Sequence, residues 1–123
     1  MKNESSTMKN PVVHFDIGCR DREKASQFYS DLFGWSMTDY GPLSRKVDTG
    51  CDTGINGHIT ALGHEPHQYV MLYVEVDDIA AYTSKATELG GEVVIPETQI
   101  PGGGNFAWIK DVDGNMVGLH KSA

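Results

Sequence analysis

A chain of 123 residues with 39% hydrophobic and 22% charged side chains suits one compact domain with its own core, without staples. Its formal net charge of -7 excludes a polyanion as the main partner, because nucleic-acid binding needs clustered Lys and Arg. No stretch is apolar enough to span a bilayer, and fourteen glycines favour a strand-rich chain with many tight turns over a helical bundle.

Residues 1–11 are polar, lack an apolar signal core and are expected to form a disordered or extended tail. Val13, Phe15 and Ile17 then alternate with His14 and Asp16, which predicts a strand with one buried face. Asp21 is placed to cap a helix whose apolar stripe is Ala25, Phe28, Tyr29, Leu32 and Phe33, and Gly34 sits where a helix ends. Three weaker strands follow, near 35–40, 44–49 and 54–62, with breaks at Gly41-Pro42 and at 51–54. Residues 63–68 read as a linker. The pattern then restarts. Val70, Leu72, Val74 and Val76 alternate with Met71, Tyr73 and Glu75. Asp78 can cap a second helix carrying Ile79, Tyr82, Ala86 and Leu89, which Gly90-Gly91 ends. Strands are expected at 92–95, 105–110 and 115–121, and Asp113-Gly114 marks a hairpin between the last two.

This internal repeat predicts an α+β fold of two βαβββ modules, 12–62 and 69–123, in one domain. Each four-stranded sheet buries one face under its helix. The paired modules are therefore expected to form a curved mixed sheet around a central cleft, with the helices outside. A ferredoxin-like domain is the alternative, with fewer strands per helix.

The alternation also assigns faces. His14 and Asp16 are predicted to face the cleft, with Asn56, His58 and Thr60 beside them. From the second module come Met71, Tyr73 and Glu75, then Phe106, Trp108 and Lys110, then Met116, Gly118 and His120. Val70, Leu72, Val74 and Val76 are expected to pack outward against the second helix. Aromatic side chains with a few polar groups suit a small-molecule pocket. The expected ligand-binding residues are His14, Asp16, His58, Met71, Tyr73, Phe106, Trp108 and His120.

The run from His14 to Asp21, followed by Ala25 and Phe28-Tyr29, resembles the first module of glyoxalase I and its relatives, the glyoxalase/bleomycin-resistance/dioxygenase (vicinal oxygen chelate) superfamily. Leu32-Phe-Gly-Trp35, Val74-Glu-Val-Asp-Asp78 leading to Glu88-Leu-Gly-Gly91, and Asp111-Val-Asp-Gly-Asn115 extend the likeness over nearly the whole chain after residue 11. The resemblance implies the paired-module fold. It leaves the activity open, since the superfamily includes isomerases, dioxygenases, epimerases, thiol transferases and metal-free binding proteins.

Metal-dependent members hold a divalent ion with one ligand from each of four strands, and the ion stabilises an enediolate-like anion. By resemblance the first position is His14, and the second falls at or near His58. The third falls at Met71 and the fourth at Gly118, and neither supplies a suitable ligand. No cofactor is therefore expected at the standard positions. A displaced divalent-metal site would draw on His14 and His58, with Glu75 or His120.

Asp16 and Glu75 are the candidate catalytic residues, since burial would raise their pKa and suit one of them to act as a general base. Gly102 to Gly104 lacks the Lys and Ser/Thr of a phosphate loop and reads as a hairpin connection at the cleft mouth. His64 and His67 fall in the linker. Cys19 and Cys51 are too few for a disulfide scaffold and read as reduced thiols in a cytoplasmic protein; Cys19 has no evident activating partner.

Three functions follow from these features. The first is a glyoxalase-like protein that binds a small molecule without the standard metal site. The second is a metal-dependent lyase or isomerase using the displaced site. The third is a ligand-free partner-binding domain. By analogy with relatives of this length, a homodimer is expected.

Overall fold

The computed structural model describes residues 10–63 and 66–123. It contains eight strands and two helices in a mixed α+β arrangement: β1 (Val12–Gly18), α1 (Arg22–Phe33), β2 (Ser36–Tyr40), β3 (Ser44–Asp48), β4 (Asn56–Thr60), β5 (Val70–Glu75), α2 (Ile79–Glu88), β6 (Glu92–Gln99), β7 (Asn105–Lys110) and β8 (Met116–Lys121). The βαβββ repeat read from the sequence is present twice. The chain divides into two compact units, 13–72 and 73–123, the latter taking in residues 10–12. Residues 1–9, His64 and Glu65 lie outside the described residues. So does most of the expected tail and part of the expected 63–68 linker.

In the unit of residues 13–72 the strand order is β2-β3-β4-β1. Strands β2, β3 and β4 are antiparallel neighbours, and β4 closes parallel to β1 with Asp16 opposite His58. The alternating pattern works as expected. Val47 and Ile59 are buried with Cys19 against Phe15, Ile17, Ala25, Tyr29, Trp35 and Met37. Full burial of one such aliphatic side chain contributes about 1.5–3 kcal/mol. Helix α1 starts where Asp21 accepts the backbone N–H of Glu23 and Lys24. It stops at Gly34, which takes the left-handed conformation at φ 74. The predicted stripe is only half used. Tyr29 and Ala25 pack on the core, while Phe28, Leu32 and Phe33 are each more than half exposed.

The second unit has the order β5-β8-β7-β6, with β5 parallel to β8 and the other pairs antiparallel. Val76, Ile79, Ala107 and Leu119 form its core, with Val74, Tyr82 and Ile109 packed around them. Asp78 caps α2 through the backbone N–H of Ala81. Asn10 and Pro11 belong to this unit. The Asn10 amide donates to the Glu75 carbonyl, and the Pro11 carbonyl accepts the Glu75 N–H.

Two sequence expectations are corrected. The predicted outward packing of β5 holds for Val74 and Val76, but Val70 and Leu72 are 74% and 47% exposed. The strand expected to stop at Ile95 runs on through Pro96 to Gln99. β6 lies at the end of its strand order and its register shifts between Val93, Ile95 and Thr98, so the N–H that proline lacks breaks no regular ladder.

Candidate functional site

In the first unit, every strand sends one set of side chains under α1 and the other to the opposite face. That opposite face is almost wholly polar. It carries Ser36 and Thr38 from β2, Lys46 and Asp48 from β3, Asn56 and His58 from β4, and His14 and Asp16 from β1. Two aromatic rings meet it, Tyr40 against Lys46 and Tyr69 across Gly18. A pocket of about 450 Å³ opens here, lined by His14, Ser36, Thr38, Lys46, Val47, Asp48, Asn56 and Gly57. That volume suits a small metabolite.

Behind the pocket runs a chain of hydrogen bonds. Asp16 is 1% exposed. Its Oδ1 accepts the Tyr69 hydroxyl at 3.1 Å, and its Oδ2 lies 3.2 Å from Nε2 of His58. The other ring nitrogen of His58, Nδ1, meets Nε2 of His14 at 2.5 Å. A buried carboxylate accepts, so His58 carries its proton on Nε2 and presents Nδ1 as an acceptor to the Nε2–H of His14. The parallel β1–β4 register, which sets Asp16 opposite His58 and His14 opposite Asn56, brings these groups together. Tyr69 reaches Asp16 by lying across Gly18, where any Cβ would fall inside the Tyr69 ring.

The second unit builds two further pairs on the face away from α2. The register sets Phe106 opposite His120, Trp108 opposite Gly118 and Lys110 opposite Met116, as the alternation predicted. The indole N–H of Trp108 donates to the Tyr73 hydroxyl at 2.8 Å, and both rings are buried. Glu75 holds His120: Oε1 lies 2.6 Å from Nδ1, and Oε2 accepts the Ser122 N–H at 2.8 Å. The expected raised pKa of Glu75 is corrected. Burial pushes it up, but the hydrogen bonds from His120 and Ser122 and the charge of His120 outweigh burial and hold it below its ordinary value. A carboxylate so held is a poor general base.

These contacts test the metal positions that the family resemblance assigns. His14 and His58 are joined to each other at 2.5 Å, whereas two nitrogens on one tetrahedral metal sit about 3.3 Å apart. Met71 is 2% exposed and offers only a thioether. At Gly118 a Cβ would collide with the Tyr73 ring, so the space of a fourth ligand is filled by an aromatic side chain. Among the described residues no cluster of three or more His, Cys, Asp or Glu could hold a metal ion. The donor set does not fit the four-ligand centre.

Sequence reasoning missed Tyr69, which sits in an aperiodic stretch and carries no signal. It also missed Ser36, Thr38, Lys46 and Asp48. Their alternation around Met37 and Val47 was a signal that could have found them. Cys19 and Cys51 are both free, the first buried and the second exposed. Among the described residues no helix is long and apolar enough to cross a membrane.

The family profile described as Glyoxalase/Bleomycin resistance protein/Dioxygenase superfamily matches residues 12–119. A protein of Mycobacterium bovis described as a candidate glyoxylase, CFP32, is 30% identical over 112 residues, as is its Mycobacterium tuberculosis counterpart. The match covers 85% of this chain and 42% of those proteins, so the chain spans about two fifths of their length. Among solved structures, BH1468 of Bacillus halodurans superposes with a TM-score of 0.70 at 11% identity, covering 94% of this chain and 96% of that one. Methylmalonyl-CoA epimerase of Mycobacterium tuberculosis superposes with a TM-score of 0.64 at 14% identity, covering 99% and 93%. At these identities the two structures speak for the fold alone. The family match, over the same span in which the residues alternate and repeat, is decisive: the chain belongs to the glyoxalase/bleomycin-resistance/dioxygenase superfamily.

Proposed function

We propose that this chain is a small-molecule-binding protein of the superfamily that works without the four-ligand metal centre, and that the polar face of the 13–72 unit carries the pocket. One observation supports this most directly. His14 lines a 450 Å³ pocket while its Nε2 is held by His58, which is held in turn by the buried Asp16. Ordering three polar side chains behind one imidazole costs conformational entropy, and a bare core needs none of them. In this reading His14 presents a fixed ring to a bound molecule, and Asp16, His58 and Tyr69 position it. Tyr73, Phe106, Trp108 and His120 of the other unit, and the buried Met71, were expected from the sequence to bind ligand and do not line this pocket.

The test is metal dependence together with ligand binding. The purified protein is assayed for bound zinc, nickel, manganese and iron and melted with each. The expected result is no stoichiometric metal and no shift of the melt. A stoichiometric metal that disappears in His14→Ala would sink the reading and restore a displaced-site lyase or isomerase. In parallel, polar fragments are titrated into labelled protein. Saturable shifts at the Asn56 and Gly57 amides, lost in His14→Ala, are expected. Silence from every fragment would leave a ligand-free domain. We also propose a homodimer; a monomeric mass by light scattering would contradict it.

A further inference from the structure

The pocket on the polar face of the first unit is built from donors, and this sets the chemistry of what it takes. Asn56 is the clearest case. Its Oδ1 accepts the Thr49 backbone N–H at 2.9 Å and the Thr49 hydroxyl at 3.0 Å. A backbone N–H can only donate, so the atom facing Thr49 is the amide oxygen, and the NH2 group is the end turned away from Thr49. Asp48, the one carboxylate among the lining residues, already has Oδ1 engaged by the Gly50 N–H at 2.8 Å. Lys46 carries the lining's ammonium group, and its Nζ rests 5.1 Å from the centre of the Tyr40 ring. That contact keeps the long side chain over its own strand pair. Ser36 and Thr38 add two hydroxyls from the neighbouring strand. The register fixes these groups as a set: Thr38 is paired with Lys46 and Ser36 with Asp48 across β2–β3.

The residues that line the pocket thus bring one ammonium, one amide NH2 and two hydroxyls, beside one acid, Asp48, with one oxygen already engaged. Resting on the small-molecule reading above, we infer that the pocket binds a small carboxylate. The carboxylate lies against Lys46 and the Asn56 amide, and the rest of the molecule lies toward His14. An ammonium and an amide NH2 bind a carboxylate with charge on both sides of the contact, whereas a neutral amide offers only an uncharged carbonyl acceptor and a protonated amine is repelled.

The experiment compares matched ligands by isothermal titration and by chemical shifts of the Lys46 and Asn56 side chains. The probes are lactate and propionate, their neutral amides, the amine isopropylamine, and inorganic phosphate. The expected result is saturable binding of the carboxylates, about tenfold or more weaker binding of the amides, and none of the amine. Lys46→Met should weaken the carboxylates about tenfold or more while the Lys85→Met control leaves them unchanged. Equal binding of amides and carboxylates, preference for phosphate or amine, or an unaffected Lys46→Met would each overturn the inference. Neutral fragments that still shift the Gly57 amide would show that the small-molecule reading stands and only the carboxylate assignment has failed. If no probe or fragment shifts Gly57, both fail together.

Discussion

At the scale of single residues, the second unit shows how one glycine makes room for an aromatic ring. Gly118 faces the Tyr73 ring so closely that a Cβ cannot be added without moving the ring, and the ring is tied to Trp108 through its hydroxyl. Gly118→Ala is therefore expected to destabilise the protein by about 1–3 kcal/mol through overpacking, read as a lowered denaturation midpoint. In a Tyr73→Leu background the same substitution should cost markedly less, because the colliding ring is gone. Additive costs would show that the crowding lies elsewhere. Glu75 supplies a pH prediction. Its folded pKa lies below the ordinary carboxyl value of 4.5, so it contributes stability above that value and loses it as pH falls through the folded pKa. Denaturation from about pH 6 down to about pH 3 should show wild type losing more stability than Glu75→Gln, and parallel curves would refute the role of the His120 and Ser122 contacts. The sequence carried Gly118 and Glu75 as positions on a face. It did not carry the Tyr73 ring or the Ser122 amide, because those contacts depend on a rotamer and on a chain end coming back to β5.

At the scale of elements, strands and helices were legible where period and cap agreed, as in β1, α1, β5 and α2. Legibility failed where context overrode local pattern. Pro96 reads as a strand breaker, yet an outer strand with shifted register tolerates it. The stripe on α1 reads as wholly buried, yet Leu32 and Phe33 are 58% and 56% exposed, because the sheet beneath is met by Tyr29 and Ala25 instead. The cap and the stripe can be separated by mutation. Asp21→Ala removes the acceptor for two orphan N–H groups and should cost about 1 kcal/mol. Leu32→Gln, on the exposed side, should change stability by less than about 0.5 kcal/mol, while Ile59→Ala, fully buried under the same helix, should cost about 2–5 kcal/mol. Urea denaturation of the three variants checks the order. A large cost at Leu32 would mean that this face is covered in solution.

At the scale of the whole chain, the repeat was the strongest signal, because strand, capped helix and three strands recur in the same order in both units. It could not reveal that the first unit's open face is polar and donor-rich, which depends on four short strands aligning in register. The repeat also fixes how each unit must close. In both, the first strand pairs in parallel with the last, β1 with β4 and β5 with β8, across an intervening helix and two strands. Such a pair cannot form until the loop between its strands has been gathered, and the entropy of that closure is lost before the pairing repays it. Refolding is therefore expected on the millisecond-to-second scale set by non-local topology, not in microseconds as for a helical bundle. Ile59 stands on β4 opposite Ile17, at the heart of the parallel pair, and Ile17 packs on the core that Ile59 helps to form. If that pairing belongs to the folding nucleus of its unit, Ile59→Val should slow refolding in stopped-flow fluorescence more than it speeds unfolding. Asp21→Ala, which removes only local hydrogen bonds at the start of α1, should show the smaller share of its cost in the folding rate. A reversed ranking would place the nucleus in the helix and its local contacts, and the parallel closure would then be a late step.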